Sequence, residues 1–133
     1  MGRRTTMEKE LIRKLATESI KKWKNQLGFS RWKIDAKIAV FNRVDGFPQD
    51  GDIVINYPKK QATILIGKIL KSSVEEIVVH EMIHLMLWPL DQNMMLEIKR
   101  LPKGEQKRIE DNFLGKLEKV VDHIAKSFLR TGK

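Results

Sequence analysis

Two histidines, His80 and His84, stand four residues apart with Glu81 directly after the first, and this spacing constrains the fold more than any other feature. Positions i and i+4 of an α-helix lie one turn apart on the same face. Both imidazole rings can therefore reach one metal ion if the segment is helical. Glu81 would lie beside that ion, where its carboxylate can take a proton from a water held by the metal. The spacing thus predicts a helix that carries a metal site.

The residues around this motif support a helix over about 74–88. Ser73-Val74-Glu75-Glu76 has the pattern of a capping box, and Pro89 is expected to stop the helix. Apolar residues cover most sides, so the helix should be largely buried: Ile77, Val78, Met82, Ile83, Leu85, Met86 and Leu87. The polar residues of a buried helix need partners, because unpaired buried polar groups are costly. The alternative to a metal site is two core histidines with other hydrogen-bond partners.

Composition limits the ligands and the class of protein. The 133 residues suit one domain, taken as 1–133, and 41% of them are apolar. The chain has no cysteine, which excludes disulfides and thiolate ligands, so a metal site must use His, Asp and Glu. No apolar run approaches the roughly 20 residues of a membrane span, and the first residues lack the apolar core of a secretory signal. We therefore expect a cytoplasmic protein that does not enter a membrane.

The net charge of +9 is concentrated in residues 1–37 and 99–133, whereas the middle of the chain is slightly acidic. Basic flanks can attract nucleic acid. No nucleic-acid motif accompanies these charges, so we interpret them as solvated helix faces. Nucleic acid is the less favoured partner.

The rest of the sequence predicts helices around a small sheet. A capping box over Thr5–Glu8 and a stop at Gly28 predict a first amphipathic helix. Apolar alternation and turn residues predict three strands, the last two paired as a hairpin: 32–40, 52–57 and 62–66. The glycines and the proline of residues 42–52 predict a loop between the first two strands. Residues 90–104 are expected to be irregular, with a short helical piece near 93–99, before a final helix over about 105–129. The predicted class is α+β, with a mostly antiparallel sheet of three to four strands.

The third metal ligand has to come from outside the motif, because catalytic zinc usually takes three protein ligands. Position 90 is Leu, which excludes the extended pattern with a third histidine. We favour Glu118, at the edge of the apolar stripe of the final helix, with Asp122 one turn on orienting a ligand histidine. Other acids are weaker candidates, Glu110 before Asp111 and Glu97. The stripe itself is predicted to contain Phe113, Leu114, Leu117, Val120, Val121, Ile124 and Phe128.

The two remaining residues with site chemistry are assigned to packing. His123 is expected to be a half-buried, hydrogen-bonded residue rather than a ligand. Tyr57, the only tyrosine, is expected to pack at a strand end rather than stabilise a reaction oxyanion.

His80-Glu81-Met82-Ile83-His84 with Glu118-Lys119-Val120-Val121-Asp122 resembles the gluzincin branch of zinc peptidases, whose members carry an H-E-x-x-H helix and a later Glu-x-x-x-Asp. The length and element order resemble the small stand-alone minigluzincins and, more distantly, the phage-associated ImmA/IrrE-type metallopeptidases. Position 117 is Leu, where thermolysin-type members have asparagine.

The resemblance implies a zincin-like fold with Zn²⁺ held by His80, His84 and Glu118, and with Glu81 as general base. It also implies a peptide or protein substrate, which could pair with a free edge of the sheet near the strand at 62–66. The leading hypothesis is a zinc-dependent peptidase. Two alternatives stay open: a binding or regulatory module of the same fold with weak or no turnover, and a nucleic-acid-associated protease whose basic outer helices bind the nucleic acid.

Overall fold

The computed structural model describes residues 2–39, 51–67 and 73–131, which form four helices and one three-stranded sheet. In chain order the elements are α1 (Gly2–Gln26), β1 (Lys33–Ile38), β2 (Gly51–Asn56), β3 (Gln61–Ile66), α2 (Val74–Met86), α3 (Trp88–Lys99) and α4 (Lys103–Thr131). The α+β class is therefore confirmed. The chain divides into two compact units, Met1–Met82 and Ile83–Lys133. The predicted single domain over 1–133 stays a prediction.

In the first unit, helix α1 ends where the sequence predicts and begins earlier. The amide of Phe29 donates to the carbonyl of Lys24 (2.8 Å) and that of Gly28 to Asn25 (3.2 Å), the Schellman pattern of a helix C-terminus. Gly28 has φ +85°, the left-handed conformation that this cap requires. The predicted start at the Thr5 capping box is wrong, since α1 already includes Gly2. No proline stands upstream to enforce the later start.

The sheet has the strand order β1-β3-β2, so β3 is its central strand. The hairpin prediction is confirmed, because β2 pairs antiparallel with β3 from Gly51↔Ile66 to Asn56↔Gln61. Strand β1 pairs with β3 in parallel, so the prediction of a mostly antiparallel sheet is wrong. Alternation reveals which residues share a face of a strand, and it says nothing about which strand lies beside it. Val40 and positions 42–50 of the predicted loop lie outside the described residues.

The two faces of the sheet follow the alternation of the strands. The buried face is apolar in all three strands: Ile34, Ala36, Ile38, Ile53, Ile55, Ala62, Ile64 and Ile66. The other face is more polar, and on it the Thr63 hydroxyl donates to Asp35 Oδ1 (2.8 Å). Burial of one face against the core fixes the register, because a slip by one residue would turn every apolar side chain outward.

A buried tryptophan connects α1 to the start of α2 within the first unit. Trp23 is 1% exposed, and its indole Nε1–H donates to Glu75 Oε2 (3.0 Å). Lys22 Nζ reaches the same carboxylate oxygen (3.1 Å). A buried indole N–H needs an acceptor, and Glu75 supplies one from the first turn of α2.

The second unit contains a helix that the sequence analysis placed in an irregular segment. Pro89 does not simply stop α2, which ends at Met86; it stands in the first turn of α3. Proline fits there because the first amides of a helix have no intrahelical acceptor. The amides of Leu87 and Asp91 donate to the carbonyls of Ile83 (3.0 Å) and Leu87 (2.9 Å), which links α2 closely to α3.

Helix α4 packs beside α3, and the Gln106 side-chain amide donates to the Leu101 carbonyl (2.9 Å) near the end of α3. Val121 and Ala125 are buried. Leu114 and Val120 are 39% and 49% exposed, so this part of the predicted apolar stripe is not buried. Helical spacing selects every apolar residue near one face of a helix, and a neighbouring helix covers only part of that face. None of the helices in the described ranges is both long enough and apolar enough to cross a bilayer.

Removing the acceptor of Trp23 should destabilise the protein. We expect Glu75→Ala to lower the free energy of unfolding by about 1–3 kcal/mol, since it leaves a buried indole N–H without this acceptor. Glu75→Gln should lose less, because the amide oxygen can still accept. Urea unfolding followed by tryptophan fluorescence measures both. The control is Glu76→Ala, an exposed neighbour; an equal loss in the control would contradict the assigned role of Glu75.

Two glycine-to-alanine substitutions should change stability in opposite directions. A Cβ added at Gly28 or at Gly115 meets no atom within 4 Å, so backbone conformation decides both effects. Gly28→Ala should cost about 1–2 kcal/mol because of its left-handed φ. Gly115→Ala, inside α4, should stabilise by about 0.5–1 kcal/mol because alanine favours the helix. Thermal unfolding measures both, and the same sign for the two variants would contradict this account.

Candidate metal centre

Helix α2 places the motif residues as the sequence predicts. The amide of Glu76 donates to Ser73 Oγ (3.1 Å), so the predicted cap at the start of α2 is confirmed. Most of its apolar residues are buried, with Val78, Val79, Met82 and Ile83 at 0% and Leu85 at 1% exposure, but Met86 is 38% exposed, contrary to the prediction. His80 and His84 are half-buried one helical turn apart. Because most other sides of the helix are buried, the two imidazole rings have to find their polar partners on the same side of it.

Glu118 lies directly against one of these histidines. Within the second unit, His84 Nε2 and Glu118 Oε1 are 2.6 Å apart, with the two side chains 18% and 54% exposed. An ionised carboxylate only accepts hydrogen bonds, so the imidazole N–H is the donor in this pair. The distance is that of a short, charge-assisted hydrogen bond. The residue predicted from facing and spacing alone is therefore in contact with the motif helix.

His80, His84 and Glu118 form a group with the chemistry of a metal site. Each offers one ligand atom, and these atoms all lie within 4.8 Å of one another. The division between the two units falls inside α2, so His80 is tied to His84 by a turn of one helix. This is the only such group found among the described residues.

The donor set fits zinc. Two imidazole nitrogens and one carboxylate oxygen are the His₂Glu set of catalytic zinc sites, which keep a fourth position open. Ligand bonds of about 2.0–2.2 Å place the atoms of a tetrahedral site about 3.3 Å apart. The 2.6 Å pair of His84 and Glu118 would have to open by less than about 1 Å, which side-chain rotation can supply.

The carboxylate of Glu81 is buried against the first residue of β2. Glu81 is 6% exposed. A methyl group built on Gly51 would lie 2.6 Å from Ile77 Cγ2 and 3.2 Å from Glu81 Oε2. Only glycine therefore allows β2 to approach α2 this closely. The sequence analysis treated Gly51 as part of a loop; a glycine at the start of an apolar strand was the signal that it missed.

Asp91 is a second carboxyl group that the sequence analysis did not connect to the motif. Burial raises the pKa of Asp91, and the nearby His84 acts in the opposite direction. Asp91 follows His84 by seven residues, or about two helical turns, and only Leu87 separates α2 from α3 between them. The prediction that Pro89 ends the helix concealed this relation.

The other predicted site residues are distributed as follows. Asp122 lies on α4, exposed and one turn after Glu118, and its orienting role stays a prediction. The rival acids are not in the three-residue group: Glu110, Asp111 and Glu97, of which Glu97 pairs with Arg100 (3.2 Å). His123 is exposed, so the prediction of a half-buried residue is wrong. Tyr57 packs edge to face on Trp32, as expected, with ring centroids 5.3 Å apart.

Strand β3 has no free edge for an extended peptide. It pairs with β1 on one side and with β2 on the other. The backbone donors and acceptors of β3 are therefore used within the sheet, and pairing of a substrate with an outer edge of the sheet stays a prediction.

Comparisons with protein families, with curated proteins and with solved structures gave no match to this chain.

The ligand set can be tested by zinc affinity. We expect about one zinc per chain, lost in His84→Ala. Glu118→Ala should weaken binding by more than about 100-fold, beyond the 10- to 100-fold typical of residues that only support a ligand. Glu110→Ala, on the same helix, is the matched control and should change affinity little. Competition with a chelating dye measures the affinities, with circular dichroism as the check on folding; a larger loss in Glu110→Ala would contradict the choice of Glu118.

Proposed function

We propose that this protein is a zinc-dependent metallopeptidase, a hydrolase of gluzincin type that cleaves peptide bonds. The observation that carries the proposal is the contact of His84 with Glu118, with His80 one turn away on α2. The sequence placed these residues in a peptidase motif, and their ligand atoms lie close enough together to bind one ion. In this proposal His80, His84 and Glu118 hold Zn²⁺, and Asp122 orients a ligand histidine.

The proposed mechanism needs a zinc ion and the carboxylate of Glu81. Zinc, when bound, polarises the scissile carbonyl and lowers the pKa of water at the site. Glu81 follows His80 directly and is the general base that accepts the proton of the attacking water. The same carboxyl group then delivers a proton to the leaving amine. Its burial at 6% exposure and the close approach of Gly51 support a fixed position, which general-base catalysis needs.

Asp91 also has a carboxyl group near His84, but we do not include it among the metal ligands. Its pKa is raised by burial, so it keeps its proton to a higher pH than an ordinary aspartate. Asp91 is also not part of the group of possible ligand atoms that His80, His84 and Glu118 form. We therefore assign no ligand role to Asp91, and Glu118 supplies the carboxylate of the site.

Glu81→Gln separates metal binding from hydrolysis. The variant should retain zinc, because Glu81 is not a ligand, and should lose hydrolysis by about 100- to 10,000-fold, the usual contribution of a general base. Cleavage of a mixed peptide library and of denatured proteins, followed by mass spectrometry, measures activity. The matched control is Glu76→Gln on the same helix, which should retain both zinc and activity. Hydrolysis that survives in Glu81→Gln would rule out the proposed mechanism.

The other parts of the proposal are the substrate class and the location. We propose a peptide or protein substrate and a cytoplasmic location, which cell fractionation tests. Zinc binding without hydrolysis of any library member, in protein saturated with zinc, would favour the alternative of a binding or regulatory module of the same fold. Zinc binding and hydrolysis are therefore scored separately.

A further inference from the structure

One end of the sheet brings together basic side chains and an exposed aromatic ring. None of these residues belongs to the metal-site motif. The sheet-end surface, as we name it, consists of Arg31, Lys33, Tyr57, Lys59 and Lys60. The backbone joins its two segments, because the Lys33 amide donates to the Lys60 carbonyl (2.9 Å). The first residues of β1 and β3 meet there with the last residue of β2, since Gln61 is opposite both Lys33 and Asn56.

The four cations of this surface are exposed. Positions 29–34 and 57–62 contain no Asp or Glu. Asp35, the next acid along β1, accepts a hydrogen bond from Thr63. In the part of the chain that the structure describes, none of the four cations forms an ion pair. Their charge is therefore available to an external anion.

The aromatic ring is exposed and held in place from below. Tyr57 is 45% exposed and packs edge to face on Trp32, with an angle of 67° between the rings. Trp32 is 8% exposed and contacts Phe29 in the same way, with centroids 5.8 Å apart. This three-ring series limits the motion of Tyr57, so a flat ligand can stack on it with little ordering cost.

The turn between β2 and β3 holds Lys60 in a left-handed backbone conformation that glycine and asparagine adopt more easily. Lys60 has φ +53°, the left-handed region, and its amide donates to the Tyr57 carbonyl (3.1 Å). Glycine or asparagine adopts this conformation with less strain. A lysine at this position places a further positive charge beside Tyr57. The strained Lys60 thus adds to the positive charge that the three other cations give this surface.

We propose that the sheet-end surface binds single-stranded nucleic acid. Phosphates would contact the four cations, and an unstacked base would lie on the ring of Tyr57, the combination that single-strand binding proteins use. A duplex fits less well, because its bases are already stacked on one another and leave no face for the ring. The basic outer helices, considered in the sequence analysis as the nucleic-acid surface, are not part of this site. The proposal does not rest on the metal centre.

The test uses a fluorescent oligothymidylate of about 12 nucleotides and the full chain, with binding followed by anisotropy at several salt concentrations. Tyr57→Ala should weaken binding by about 5- to 100-fold, the range for loss of one stacked base. Tyr57→Phe, which keeps the ring, should bind within about twofold of the unchanged protein. His84→Ala should bind normally, which separates this proposal from the proposed peptidase.

The lysines give an independent measurement if Tyr57→Ala does not fold. Replacing Lys33 and Lys59 by glutamine should reduce the slope of log affinity against log salt by about 1.4, since each phosphate contact to a single strand contributes about 0.7. The matched control removes two exposed charges from α4, Lys107→Gln with Lys116→Gln, and should leave the slope nearly unchanged.

Four results would overturn the proposal. They are no binding of the oligonucleotide by the unchanged protein, equal binding by folded Tyr57→Ala, an equal loss of slope in the α4 control, and tighter binding of a duplex of the same length. Binding to vesicles of acidic phospholipid without binding to the oligonucleotide would identify the surface as a membrane-contact site instead.

Discussion

Helix α2 has to be buried on most sides while it carries two histidines and a glutamate, and this requirement governs the candidate metal centre. Its apolar residues exclude water from most of the helix surface. Polar groups in such a position need partners, because their loss of hydration is otherwise uncompensated. His84 meets this requirement with Glu118. The partner of a half-buried histidine is thus a carboxylate, which is also the ligand type that a zinc site needs.

Contacts within the first unit also fix the N-terminal part of this helix. Glu75 accepts the indole N–H of Trp23 at the start of α2. Farther along, Gly51 lets β2 come close to Ile77 and Glu81 without a steric clash. Residues far apart in the sequence therefore fix the position of the proposed general base. A catalytic carboxylate that is held this way needs little reorganisation during a reaction.

The two proposed sites use different physical principles. The metal centre gathers a few ligand atoms around one point, supplied by two half-buried histidines and one exposed glutamate on helices. The sheet-end surface presents separate positive charges and one aromatic ring to solvent, with strand pairing as its support. A metal ion is bound through short bonds of defined geometry, whereas a flexible polyanion is bound through many weaker contacts. Substitutions at one site should therefore leave the other site intact.

The sequence by itself determined the motif helix, its cap and the hairpin of β2 with β3, because local hydrogen bonds and periodicity control these features. It favoured Glu118 among several acids, and the tertiary structure places that residue against His84. It did not determine that β1 pairs in parallel, that Pro89 begins α3, or that Asp91 is near His84. The parallel pairing depends on packing between segments that no local pattern encodes. The other two features depend on α3 beginning only one residue after α2 ends. Gly51 shows the limit most clearly: its role as the point of close approach to Glu81 exists only in the tertiary structure, where a side chain would collide with α2.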